Sequence, residues 1–126
     1  MKKSTLFCFL LLLIQAGILS AQNPGCDGVR YKNDVFATVT KTTVNYAPTV
    51  GHLGNAMTLA MDIYEPEGDD LSARPVVVLA HGGSFVLGDR SQMKPWCELL
   101  ARKGYVAVSI QYRLFPFFSL GFPDSL

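Results

Sequence analysis

Hydrophobic and polar positions along the chain change period several times. Residues Val35 to Tyr46 alternate and are rich in Val and Thr, which predicts a strand with one wet face. Pro48, Gly51 and Gly54 interrupt that pattern. It resumes over Met57 to Tyr64, where Leu59, Met61 and Ile63 alternate with smaller or polar residues, so the two stretches predict an antiparallel pair at a sheet edge. Glu65 to Arg74 reads as a loop. Val76 to Ala80 is apolar at every position and so predicts a strand buried on both faces. Met93, Trp96, Cys97 and Leu100 then fall at i, i+3, i+4 and i+7, the stripe of a helix with Ser91 as cap, Pro95 in its first turn and Gly104 as terminator. Tyr105 to Ile110 is a second buried strand. Residues 76 to 110 thus spell strand, loop, helix, strand, a right-handed βαβ crossover in a parallel sheet. The fold class is α/β, antiparallel edge strands followed by a βαβ unit.

Beyond Arg113 the periodicity stops. Leu114 to Leu126 holds four phenylalanines and two prolines, too apolar for a solvated tail and too broken for a regular element. Two parallel strands leave an apolar edge that further strands would have to cover, so the pattern predicts an incomplete sheet, the N-terminal portion of a larger fold.

The first 21 residues add an export leader: Lys2 and Lys3, the apolar run Leu6 to Ile14, and Ser20-Ala21 before Gln22. Gln15 breaks the run short of the roughly 18 residues needed to span a bilayer, which argues for cleavage over a membrane anchor. The expected organisation is a signal peptide over 1–21, a partial α/β domain over 22–126, and a secreted or periplasmic product without a stable membrane anchor. Without the leader nine basic residues face ten acidic ones. The basic residues are scattered, so no nucleic-acid footprint exists. The acidic stretch Asp62 to Asp70 contains Pro66 and Gly68 and reads as a solvated turn rather than a calcium site. Nothing in the chain calls for a metal or a cofactor. Cys8 departs with the leader. Export then permits a disulfide between Cys26 and Cys97, with a buried thiol on the helix as the equal alternative.

The chemistry concentrates where the third strand breaks into His81-Gly82-Gly83-Ser84-Phe85. Adjacent glycines at a strand end let backbone approach a ligand closely and aim N–H groups at it, as stabilising a developing oxyanion requires. His52 and His81 are the only histidines.

On these residues the chain resembles the α/β-hydrolases of the esterase and lipase kind. His81-Gly82-Gly83-Ser84-Phe85 is similar to their oxyanion loop after the third strand, and Gly104 to Leu114 is similar to their fourth strand ending in Tyr112-Arg113. The resemblance covers residues 35 to 113 and implies an exported carboxylesterase, of the acetyl or feruloyl esterase type, acting on a small-molecule or polysaccharide-linked ester. It implies that the N–H groups of Gly82, Gly83 and Ser84 stabilise the oxyanion. It makes His81 a loop support rather than the base, and Tyr112 and Arg113 ties between the strand end and its neighbours. The family's Gly-x-Ser-x-Gly nucleophile, acid and base are not among these residues, so the chain is expected to be inactive alone. Ser84 as nucleophile would need His52 as base from upstream, the reverse of the family order. Two other readings stand beside this one: a prolyl-peptidase-like serine hydrolase, and a non-catalytic exported binding protein or hydrolase relic.

Overall fold

A computed structural model describes residues 27–115. The proposed leader, Cys26 and most of the aromatic C-terminal stretch lie outside the described residues. Four strands, β1 (Val39–Val50), β2 (Ala56–Pro66), β3 (Val76–Ala80) and β4 (Val106–Ile110), form one mixed sheet in the order β1-β2-β4-β3. A short 3-10 turn (Arg90–Met93) leads into helix α1 (Lys94–Arg102), which carries the chain from β3 to its parallel neighbour β4.

The antiparallel β1-β2 pair is present as expected, with β1 shifted toward the C-terminus. Pro48 does not break β1 but pairs opposite Thr58 within it, because β1 is an edge strand whose outer positions need no ladder donor. The register slips between Asn45 and Ala47, making Tyr46 a bulged residue. Its hydroxyl donates to the Gln111 carbonyl beyond β4. β2 also pairs antiparallel with β4, from Met61↔Ile110 to Tyr64↔Ala107, so the two halves of the pattern make one continuous sheet.

Helix α1 has Pro95 in its first turn, where the missing N–H has no partner to lose. Its buried face is Cys97 and Ala101, and with Tyr64 of β2 and Ala107 of β4 these form the core, flanked by Val39, Leu79, Met93 and Leu100. Small Ala107 and Ser109 on β4 let the helix lie close. Trp96, assigned to the apolar stripe, is 59% exposed instead, because one step of about 100° from Cys97 turns it off the sheet-facing side. Ser91 does not cap α1. Asp89 caps the preceding 3-10 turn, its carboxylate accepting from the Ser91 N–H at 2.7 Å. The segment ahead of β1 closes the other end of α1: the N–H groups of Val35 and Phe36 donate to Arg102 O, and that of Tyr31 to Lys103 O.

The expectation that β3 is buried on both faces is not met. Val77 and Leu79 are half-buried on the side of α1, but Val76 and Val78 are each 60% exposed on the opposite face. The physical reason is topological: β4, not β3, takes the interior position, and among the described residues α1 covers only one face of β3. β4 is the strand whose centre is fully buried.

The acidic stretch is a solvated turn only in part: Glu67-Gly68 is an exposed turn and Asp70 is exposed, but Asp62 and Asp69 are not. Asp62 lies inside β2 with its side chain 4% exposed, ion-paired to Arg90 at 3.1 Å. Asp69 sits between Arg30 and Arg74, and the Arg30 guanidinium forks onto its carboxylate. Both carboxyls are shielded because each has a cation from a distant segment, which spacing along the chain cannot announce.

Cys97 has no disulfide partner among the described residues and no exposed surface, and burial, reinforced by the charges of Asp62 and Glu98, pushes its pKa up to about 11. A thiol so held is neither nucleophilic nor accessible. Residue-by-residue mass mapping after alkylation should find Cys97 unmodified in the native protein near neutral pH and fully modified in denaturant; modification at equal rates in both would show that the core does not form as described.

Candidate active site

β3 and β4 run parallel and in register to Ala80↔Ile110, so their continuations leave the same end of the sheet side by side. His81 to Leu87 turns there, and Tyr112 to Phe115 runs next to it. The turn is tight and strained: Gly83 has φ +120°, and Ser84 and Phe85 follow at +53° and +63°. Left-handed backbone costs a non-glycine residue roughly 1–2 kcal/mol, so two in succession persist only where surrounding contacts hold them.

Those contacts fall on carbonyls. The Tyr112 hydroxyl donates to His81 O at 2.7 Å. His81 Nδ1 lies 2.8 Å from Gly82 O, and since a carbonyl only accepts, the proton is on Nδ1. Gly83 O accepts from the N–H groups of both Val86 and Leu87 at 3.0 Å. In a trans peptide the C=O and the following N–H point in opposite directions, and the described backbone contains no cis bond. Three consecutive carbonyls tied down therefore turn the N–H groups of Gly82, Gly83 and Ser84 the other way. All three residues are exposed, and none of these N–H groups is used by a hydrogen bond among the described residues.

Two glycines make the turn sterically feasible. A Cβ on Gly83 would sit 1.9 Å from Leu87 O, and one on Gly88, at φ +112°, would sit 2.3 Å from His81 Nδ1. The part of Gly88 in seating the imidazole is invisible without the fold.

His81 itself is 4% exposed, its ring stacked on Tyr112 at 4.3 Å between centroids. With Nδ1 engaged and Nε2 buried, it has no open nitrogen for a substrate proton. His52 lies elsewhere, at the β1-β2 connection, its ring 4.0 Å from Phe115. Ser84 Oγ makes no hydrogen bond to either imidazole among the described residues, so no Ser-His pair is assembled. Arg113 donates to Val50 O at 3.4 Å, and a cavity of about 280 Å³ opens between His52, Arg113, Leu114 and Phe115. Among the described residues no three His, Cys, Asp or Glu side chains converge to hold a metal ion.

Sequence reasoning missed the anchor at the far end of the turn. Arg90 donates to Asp62 while its N–H binds Gln111 Oε1 at 3.1 Å and its carbonyl accepts from Ser109 Oγ at 2.7 Å. Burial alone would raise the Asp62 pKa, but hydrogen bonds from Thr43 and Arg90 and the charges of Arg90 and Lys41 outweigh it and leave the carboxyl below its ordinary value. Alternation over Met57 to Tyr64 places Asp62 on a strand; nothing in the sequence points to Arg90 as its partner.

A mixed sheet with a parallel crossover and a glycine turn at the strand end is the arrangement of the N-terminal part of an α/β-hydrolase. The chain belongs to the carboxylesterase family, whose profile matches residues 21–124. Its backbone is similar to that of a bacterial heroin esterase, with a TM-score of 0.50 and 22% identity over 92% of this chain and 31% of that one. Among curated proteins it is similar to the non-reducing polyketide synthase ausA of Aspergillus calidoustus, 37% identical over 62% of this chain and 3% of that protein. The non-reducing polyketide synthase mapC of Penicillium brevicompactum is 36% identical over 70% of this chain and 4% of its own length. The chain thus spans about a third of the esterase structure and a few percent of the curated relatives.

Proposed function

We propose that this chain is the oxyanion-stabilising, N-terminal portion of an exported serine ester hydrolase acting on a small-molecule or polysaccharide-linked carboxylic ester. One observation carries the reading: the three N–H groups of Gly82, Gly83 and Ser84, turned outward from tied-down carbonyls at the end of β3. As a nucleophile attacks an ester carbonyl, its oxygen takes up negative charge. Donors already in place stabilise that charge without reorganising at the moment of reaction. The nucleophile, acid and base are assigned to sequence beyond this chain, since Gly-x-Ser-x-Gly does not occur in it. The leader-like residues 1–21 support export and removal of that segment.

The test uses the gene. Reading past codon 126 should reveal an in-frame Gly-x-Ser-x-Gly followed by an acid and a histidine, and the exported product should have a mass beginning at Gln22 and hydrolyse 4-nitrophenyl acetate. The 126-residue chain by itself should hydrolyse that ester no faster than buffer. Robust hydrolysis by the chain, abolished by Ser84→Ala, would overturn the assignment of the nucleophile. A stop codon at 127, matched by the product's mass, would leave a turn without a nucleophile and favour the binding-protein or relic reading.

A further inference from the structure

We propose that Tyr112 is the positioning residue of the turn, holding the Gly82 and Gly83 N–H groups in the orientation that receives an oxyanion. Its catalytic consequence rests on the ester-hydrolase reading; the clamp itself does not.

The placement follows from the sheet. Tyr112 is two residues past the end of β4, and His81 is one past the end of β3, its parallel neighbour, so the phenol reaches the turn across a single strand spacing. Tyr112 then acts on two successive peptide groups. Its single hydroxyl proton is committed to His81 O at 2.7 Å, which sets the peptide that carries the Gly82 N–H. Its ring lies nearly parallel to the imidazole, with 14° between planes, and so holds the ring whose Nδ1 ties down Gly82 O. That second bond sets the peptide that carries the Gly83 N–H.

The same phenol also supports the far side of the turn. Phe85 meets the Tyr112 ring edge-on at 6.0 Å, and Phe85 O accepts from the Phe115 N–H at 2.7 Å. The strained pair Ser84-Phe85 is therefore held between two residues of the segment that follows β4. Removing the hydroxyl releases His81 O while leaving ring stacking intact. The Gly82 peptide becomes free to rotate, and in a turn already strained at Ser84 and Phe85 that freedom disperses the donors rather than unfolding the sheet.

The experiment compares Tyr112→Phe with Tyr105→Phe in the full product of the gene. The control removes a hydroxyl that bonds Tyr31 O at 3.4 Å, away from the turn. In Tyr112→Phe, kcat on 4-nitrophenyl acetate should fall about 10- to 50-fold with KM within about twofold, since a donor is misdirected rather than deleted. Affinity for a trifluoromethyl ketone, which forms the tetrahedral oxyanion, should fall by the same factor. Hydrogen exchange, which needs no activity, should quicken at the Val86 and Leu87 amides and stay unchanged across Lys94–Arg102. Tyr112→Leu, which also removes the stacked ring, should exceed Tyr112→Phe in both readouts.

Unchanged exchange at Val86 and Leu87, or an unchanged kcat in an active enzyme, would overturn the proposal. A loss of kcat matched by faster exchange across α1 would make Tyr112 a general stability residue and overturn it too. Faster exchange at the turn in a product with no ester hydrolysis would sustain the clamp and sink the hydrolase reading instead.

Discussion

Gly83→Ala is expected to destroy the turn and, on the ester-hydrolase reading proposed above, to lower ester turnover of the full gene product by about 10²- to 10³-fold, the usual consequence of losing an oxyanion donor. The added methyl group would sit 1.9 Å from Leu87 O and 2.6 Å from its carbonyl carbon, both backbone atoms that cannot swing aside. Moving Leu87 breaks the pair of hydrogen bonds that Val86 and Leu87 give to Gly83 O. The φ of +120° adds a strain of order 1–3 kcal/mol for any residue with a Cβ. Gly82→Ala is the matched comparison, because a Cβ there meets nothing within 4 Å. Urea unfolding should place Gly83→Ala about 3 kcal/mol below the parent and Gly82→Ala within about 0.5 kcal/mol of it. Equal stabilities for the two variants would mean that the turn is not built as described.

Asp62→Ala is expected to cost about 2–3 kcal/mol, somewhat less than the loss of a fully buried ion-pair partner, because the Arg90 side chain keeps 28% of its exposure and can reach water. The loss spreads beyond the pair. Thr43 loses its acceptor, and Arg90 loses its tie to β2, leaving only its backbone bonds to Gln111 and Ser109 to hold the end of the loop that starts at His81. Asp62→Asn keeps an acceptor for Thr43 and should cost less.

Acid should reproduce the same loss reversibly. Asp62 and Asp69 both have folded pKa values below the ordinary 3.8, the first for the reasons given above and the second chiefly through its hydrogen bonds from Arg30. A depressed carboxyl contributes stability that is fully present above its unfolded pKa and lost as pH falls through the folded one. Melting temperature should therefore hold steady down to about pH 5 and fall below about pH 4, with Asp62→Ala showing a shallower acid fall than the parent. An acid limb of unchanged slope in the variant would remove Asp62 from this account.

Much of the architecture was legible because it depends on local period. The alternation around Leu59, Met61 and Ile63 marked β2, and the i, i+3, i+4 spacing through Cys97 marked α1, although Trp96 shows that the stripe's edge is set by how the helix rolls on the sheet. The glycine turn was legible for a different reason. A pair of glycines after an apolar run marks a tight turn or a close approach of backbone, so His81 to Ser84 could be singled out without knowing what they touch. What held the turn was less so: Tyr112 was read only as a tie between a strand end and its neighbours, and its two partners on His81 emerged from the parallel pairing of β3 and β4.

By itself the sequence determined the elements, their order and the position of the glycine turn, since these follow from the identity of residues within a few positions of one another. Tertiary structure alone decided which strand lies inside, so that β4 is buried while Val76 and Val78 of the more apolar β3 remain exposed. It also decided that Asp62 meets Arg90 and that Asp69 meets Arg30, pairs 28 and 39 residues apart. Such partners are chosen by sheet order and helix placement. An ion pair or a stacked ring forms wherever the packed chain brings its members together, and nothing in the neighbouring residues encodes that distance.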